Sequence, residues 1–294
     1  MKKRVVALGF FDGVHIGHGA LLEMTVRRAR EKGASAAVMT YSNHPSSIVA
    51  SSAVKLINTT EERCALMREL YGISDIIVKE FTKEYSSLSG EAFVNEVIKK
   101  ELAACHVVAG FDFRFGKGGK CDAASLLRLC EENGIGCDIV DEVKLYGEAV
   151  SSSRIREYIV AGDMATAREL LGHYHCIIGE VTRGAQLGKD LGFPTANQEI
   201  QKDVLCVKHG VYLSRVTVDG KMYRGVTNIG VRPTVSSGKC PRAETFIIDF
   251  SGDLYGRKIK LELVKFMRGE EKFSSIETLR ERIEKDVMQA KTDF

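Results

Sequence analysis

Through the first half of the chain, short apolar runs alternate with stretches of helical periodicity. Val5-Val6-Ala7-Leu8 reads as a buried first strand, and Leu21, Leu22, Val26 and Ala29 recur at helical spacing in a helix that starts near Ala20. Residues 34–41 read as a second strand, 61–70 as a helix and 73–78 as a third buried strand. A helix over 91–102, a fourth strand over 106–109, a helix over 123–133 closing at Gly134, and a strand over 137–140 follow. Strand, helix and strand within about 40 residues predict a parallel α/β sheet. Residues 155–171 continue as an amphipathic helix, broken at Gly162-Asp163 and stopped by Gly172.

Beyond Gly172 the rhythm changes. Helical periodicity gives way to β-like runs over 176–181, 211–218, 222–226, 244–250 and 258–266. Asp219-Gly220 and Ser237-Gly238 read as turns between them. This pattern predicts a small antiparallel barrel. A helix over 275–290, with Ile276, Leu279, Ile283 and Val287 on one face, closes the chain. The fold class expected is α/β plus β, with domains over 1–172 and 173–294, and 294 residues suffice for two cores.

Composition narrows the partners. Lys plus Arg number 42 against 39 acids, a net charge of +3, too balanced for a nucleic-acid stripe or a membrane-surface protein. The apolar run after Met1-Lys2-Lys3-Arg4 is cut by Gly9 and Asp12, so it does not read as a signal peptide. No window approaches the ~20 apolar residues of a membrane span, and the expectation is a cytoplasmic protein. The oligomeric state is not readable. The eight cysteines are scattered, without Cys-x-x-Cys or zinc-ligand spacing, and read as reduced core residues. His173 and His175 read as surface or capping groups.

Candidate chemistry concentrates where strands end. Gly9-Phe10-Phe11-Asp12-Gly13-Val14-His15-Ile16-Gly17-His18 links the first strand to its helix, the edge at which open α/β sheets bind ligands. Gly13 and Gly17 let backbone approach a phosphate, and His15 and His18, three apart, can address one charged group. His44 ends the second strand and reads equally as a nucleotide contact or as a turn before Pro45. Gly110-Phe111-Asp112-Phe113-Arg114-Phe115-Gly116 suits either local packing or a planar ring beside a phosphate. Ser151, Ser152 and Ser153 enter a helix bearing Arg154 and Arg156, as an N-cap or as phosphate donors.

In the second half Gly184, Gly188 and Gly192 recur at period four without a Walker ending. The Pro194-Thr195-Ala196-Asn197 that follows offers neutral, hard oxygens suited to Mg²⁺ beside ATP. Glu244 is one acid on an apolar strand, a solvated edge or a base.

Together these stretches resemble the nucleotidyltransferase superfamily and, across essentially the whole chain, the bacterial bifunctional riboflavin kinase/FAD synthetase family. The resemblance implies a Rossmann-like adenylyltransferase domain and a riboflavin kinase barrel. It implies that riboflavin is phosphorylated to FMN and FMN adenylylated to FAD and pyrophosphate, with ATP as co-substrate and Mg²⁺ as metal. By the same resemblance His15 and His18 stabilise the α-phosphate, and Gly9, Phe11, Asp12, Gly13, Gly17, Ser151, Ser152, Ser153 and Arg156 bind ATP. His44, Asp112, Phe113 and Phe115 face nucleotide and flavin. In the kinase half Gly184, Gly188, Gly192, Thr195 and Asn197 hold Mg-ATP, Phe193, Tyr212 and Arg268 meet flavin, and Glu244 is the base. Phe10, Cys121 and Ser153 replace the usual Asn, Gly and Thr. A kinase with a degenerate first domain, or a non-catalytic flavin-binding regulator, is the alternative.

Overall fold

The computed structural model describes residues 3–49, 54–184, 188, 191–231 and 241–293. Its contacts divide the chain into two units, Met1–Leu56 with Thr60–Ser152, and Ile57–Thr59 with Ser153–Phe294.

The first unit holds a parallel sheet of β1 (Arg4–Leu8), β2 (Ser35–Tyr41), β3 (Asp75–Lys79), β4 (Ala104–Gly110) and β5 (Gly136–Val140), in the order β3-β2-β1-β4-β5. Val5 to Leu8 are buried because β1 is central and covered on both faces, which is why it reads as an unbroken apolar run. β3 corrects an expectation. It is an edge strand, half-buried with Val78 exposed, because only β2 pairs with it. The strand order reverses between β1 and β4, so the loops after these two strands flank the crevice in which such sheets bind ligands.

Helix α1 (Ile16–Glu31) begins a turn earlier than periodicity suggests. Gly17 and Gly19, poor helix formers, hide that turn in the sequence. His15 caps it, its Nδ1 accepting the His18 N–H at 3.2 Å. Further along come α2 (Pro45–Val49), α3 (Thr60–Tyr71), α4 (Lys83–Ser86) and α5 (Gly90–Ala92). The last runs on as a π-helical stretch over Phe93–Glu101. From that stretch and from α6 (Ala123–Glu132), Phe93, Val97, Ile98, Leu126 and Leu129 pack onto Val6, Leu8, Met39 and Val107. The short strands β6 (Lys144–Leu145) and β7 (Glu148–Ala149) pair with each other before Ser151.

From Ser153 onward the second unit holds the rest of α7 (Ser152–Ala161) and then α8 (Met164–Leu171), separated at Gly162-Asp163 and closed by Gly172 at φ 79°. Six antiparallel strands follow. They are β8 (His175–Glu180), β9 (Thr195–Glu199), β10 (Gly210–Val218), β11 (Lys221–Gly230), β12 (Arg242–Ile247) and β13 (Lys258–Arg268), in the order β8-β13-β10-β11-β12-β9. The two edge strands approach each other. Gln198 Nε2 donates to Gly179 O at 3.0 Å and to Ile259 O at 3.1 Å, and Thr182 N donates to Asn197 O at 2.8 Å. The sheet thus curls into a half-barrel. The β10–β11 hairpin turns at Asp219 and Gly220, both at positive φ, whereas Ser237-Gly238 lies outside the described residues.

Helix α9 (Ile276–Thr292) closes the unit behind a Ser275–Thr278 capping box. Val287 packs against the core of the sheet and Leu279 and Ile283 are half-buried, but Ile276, in the first turn, is 59% exposed rather than part of that face. His175 is a second correction. It is buried within β8, not at the surface, because the strand pairing with β13 carries it inward. The described cysteines are free, and Cys240 lies outside the described residues.

Candidate functional site

The turn after β1 is tightly wound. Phe11, Gly13 and Val14 have φ of 60°, 82° and 42°, and the first and last carry side chains that disfavour this region. Phe11 is buried beneath Gly9, where a Cβ would lie 3.0 Å from its ring. His15 and His18 stack, with ring centroids 3.6 Å apart at 15°. A Cβ on Gly17 would come within 3.1 Å of the His15 ring, so glycine leaves room for the pair. Because His15 Nδ1 accepts a bond, its neutral ring carries the proton on Nε2. Burial first, then the neighbouring His15 and Arg63, hold His18 well below its ordinary pKa. Asp12 is buried in the same turn, and its carbonyl accepts the Ser152 hydroxyl at 2.9 Å. Ser151 is half-buried beside it; farther along, Ser153 is exposed and Arg156 half-buried.

His44 is turned to local work. Its Nδ1 meets Ser46 Oγ at 2.6 Å and the Ser46 N–H at 3.2 Å, and its ring stands edge-on to Phe10 at 4.7 Å. In the loop after β4, Asp112 and Phe111 are exposed, and Phe113 lies over Phe115 at 5.8 Å. Phe115 itself sits in the core against Phe93. Cys121 closes this loop through two backbone bonds with Phe115, of 3.0 and 3.1 Å. Its φ is not positive, so no glycine is required there. Its thiol fills the space left by Gly90 and Gly116.

The sequence offered little warning of Arg63, which is fully buried on α3 with its guanidinium 4.2 Å over the Phe10 ring. One signal exists: Arg63 shares a helical face with the buried Leu66 and Met67.

The second unit encloses a pocket of about 270 Å³ that gathers Gly188, Phe193, Thr195, Glu244 and Arg268. Asn228, Glu244 and Asn197 stand in register on β11, β12 and β9, so three polar side chains form one row. Asn197 is buried; its Nδ2 donates to Thr195 O at 3.1 Å and to Thr195 Oγ1 at 3.3 Å. Its Oδ1 has no hydrogen-bond partner among the described residues. Neutral and hard, with the Asn197 oxygen buried, the Thr195 and Asn197 oxygens fit a small divalent cation. Gly184 packs over Asn197, where a Cβ would lie 2.5 Å from Oδ1, and Gly192 turns the loop at φ 87°.

Phe193 meets Phe246 edge-on at 5.2 Å. Tyr212 does not reach the pocket. It is buried on the opposite face of β10 against Phe266, its hydroxyl bonded to Lys208 O. Glu270 and Glu271, in the tail segment 266–273 that resembles the family's flavin-side segment, also line it; sequence reasoning missed the lining that α9 adds through Leu279, Ile283 and Asp286.

One site at the switch point of a parallel sheet and one in an acid-lined half-barrel suit a two-domain transferase, the class to which the comparisons assign the chain. The FAD synthetase family model matches residues 1–154 and the riboflavin kinase model residues 171–294. The chain belongs to the bifunctional riboflavin kinase/FMN adenylyltransferase family. It is 34% identical to the member from Listeria monocytogenes, covering 99% of this chain and 92% of that one. It is 37% identical to the Bacillus subtilis member, over 98% and 92%. A solved structure described as a macrolide-efflux protein from Streptococcus pneumoniae has a TM-score of 0.85 at 28% identity, covering 99% of this chain and 94% of that one. Among the described residues no helix is long and apolar enough to cross a membrane.

Proposed function

We propose that the chain phosphorylates riboflavin to FMN in residues 173–294 and adenylylates FMN to FAD in residues 1–172. The observation that carries this reading is the presence of two separately built sites, each with the groups that one of these steps needs. The strand order β3-β2-β1-β4-β5 supports a Rossmann-like first domain.

In the kinase step Glu244 takes the proton from the ribityl 5′-hydroxyl as its oxygen bonds to the γ-phosphorus of ATP and the bond to ADP breaks. Phe193 and Phe246 supply an apolar wall for the flavin ring. Thr195 and Asn197 would hold Mg²⁺, which when bound neutralises charge on the ATP phosphates.

In the adenylylation step a phosphate oxygen of FMN attacks the α-phosphorus of a second ATP, and pyrophosphate leaves. The stacked imidazoles stabilise the charge that develops on the α-phosphate, His15 through its Nε2–H, and the N–H groups opening α1 assist. Ser151, Ser152, Ser153 and Arg156 address the β- and γ-phosphates.

Chromatography of a reaction of the purified chain with riboflavin, ATP and Mg²⁺ tests the reading. FMN followed by FAD is expected. His15→Ala should stop at FMN, and Glu244→Gln should make FAD only when FMN is supplied. A folded single variant that silences both steps would refute the two-site assignment.

A further inference from the structure

Arg63 carries no part of the chemistry above, yet it is 0% exposed. Its Nη1 donates to the Phe10 carbonyl and, at 2.9 Å, to Thr40 Oγ1. Its Nη2 donates to Tyr41 O at 2.9 Å and to Thr60 Oγ1 at 3.1 Å. These bonds use every terminal N–H of the guanidinium. The remaining Nε–H is buried without a partner among the described residues, so the group presents no exposed donor to a phosphate. Whatever it does, it does through the protein.

What it grips is the residue before the wound turn. The Phe10 carbonyl is held from two sides, by Arg63 and by the Thr40 hydroxyl at 2.9 Å. Immediately beyond lie Phe11, Gly13 and Val14 at positive φ. Backbone of that kind is strained and persists only where its surroundings over-determine it. The charge also faces the machinery, since Arg63 acts electrostatically on both Asp12 and His18. An arginine buried without a bonded carboxylate is expensive to fold, and a surface anchor of α3 would not need one.

We propose that Arg63 is a positioning residue for adenylyl transfer: through the Phe10 carbonyl it holds the β1–α1 turn in the shape that aims His15 and His18 at the nucleotide. This rests on the reading that the first unit adenylylates FMN.

The test compares full-length Arg63→Met and Arg63→Lys with the unaltered chain. FAD formation from FMN is the readout, and riboflavin phosphorylation by the same preparation is the internal control. Misplacing catalytic groups by about 1 Å costs on the order of 100-fold in rate, so Arg63→Met should lower kcat for FAD about that much. The KM for ATP should move less than about 3-fold, because the lost interaction matters in the transition state rather than in ground-state binding. Riboflavin phosphorylation should stay unchanged. Arg63→Lys, which restores the charge and part of the grip, should recover part of kcat.

Wild-type kcat in Arg63→Met, or a loss confined to KM, overturns the proposal. Should Arg63→Met fail to fold, Thr40→Val removes one of the two grips on Phe10 and should lower kcat about 10-fold. Unchanged kcat there overturns the proposal equally. An unaltered chain that makes FMN but no FAD refutes instead the reading on which the proposal rests.

Discussion

Replacing Asp286 by Asn removes one charge from the wall of the second unit's pocket and leaves the side chain's shape intact. Asp286 is 2% exposed and accepts three bonds from Arg268 across the gap between α9 and β13. Nε reaches Oδ1 at 3.2 Å and Oδ2 at 3.0 Å, and Nη2 reaches Oδ2 at 2.7 Å. A second cation, Arg282, lies 3.6 Å from Oδ1. Glu271 is the other acid near both, at 3.9 Å from Arg268 and 3.5 Å from Arg282, but its side chain is 43% exposed. It therefore cannot substitute for the buried carboxylate. Breaking a buried ion pair by removing one partner costs roughly 3–5 kcal/mol. Asn keeps an acceptor oxygen, so about 2–4 kcal/mol is expected. For a unit of this size that lowers its melting temperature by roughly 4–16 °C.

The assay is thermal unfolding of the full chain with and without riboflavin, because the transition that riboflavin raises reports the second unit. The riboflavin KM should rise in the same variant, since Arg268 lines the pocket. A melting shift below about 1 °C, well under that range, together with an unchanged KM would refute the reasoning that this pair joins β13 to α9.

Gly184→Ala places a Cβ within 2.7 Å of the Asn197 amide atoms Oδ1, Cγ and Nδ2. Displacing that amide should lower riboflavin phosphorylation by on the order of 100-fold and spare FAD formation from supplied FMN, as the paired chromatographic assays would read. Burial, with a smaller push from His173, drives His175 down to about 4. Between an ordinary value near 6.5 and that folded value, the unfolded chain binds more protons, so stability is full above about pH 6.5 and falls as pH drops toward 4, by up to about 3 kcal/mol. Melting curves over that interval should show the slope for the second unit, and His175→Asn should flatten it.

The fold was legible wherever burial leaves a pattern. β1 and β4 are covered on both faces and read as apolar runs, and α8 reads through its Asp163 cap and Gly172 stop. Apolar runs do not say which strand lies at an edge, which is why β3 reads as more buried than it is. β9 was invisible as a strand for the opposite reason. Thr195-Ala196-Asn197-Gln198-Glu199 has a single apolar residue, and the side chain that closes the sheet there is the fully buried Gln198 amide. A polar side chain buried by partners it meets only in the fold leaves no hydrophobic trace.

The same physics divides the site residues. Whereas Glu244 is singled out only by the family resemblance, His15, His18 and Thr195 stand in local strings whose residue types and spacing already suggest phosphate and metal chemistry. Arg63 and Asp286 do not, because their meaning lies in partners far along the chain: Phe10 for one, Arg268 for the other. Each nevertheless breaks an apolar helical stripe. Arg63 precedes Leu66 and Met67 by three and four residues, and Asp286 stands between Ile283 and Ala290 on the inner face of α9. A charge at such a position must either tear the helix from its core or be met there by opposing groups. In both helices here it is met, and each time the meeting point adjoins a site: the carbonyl that opens the histidine turn, and the guanidinium on the pocket wall. A charge within an apolar stripe is therefore a sequence-level marker of a buried anchor. Arg63→Met and Asp286→Asn test whether these two anchors are functional or only structural.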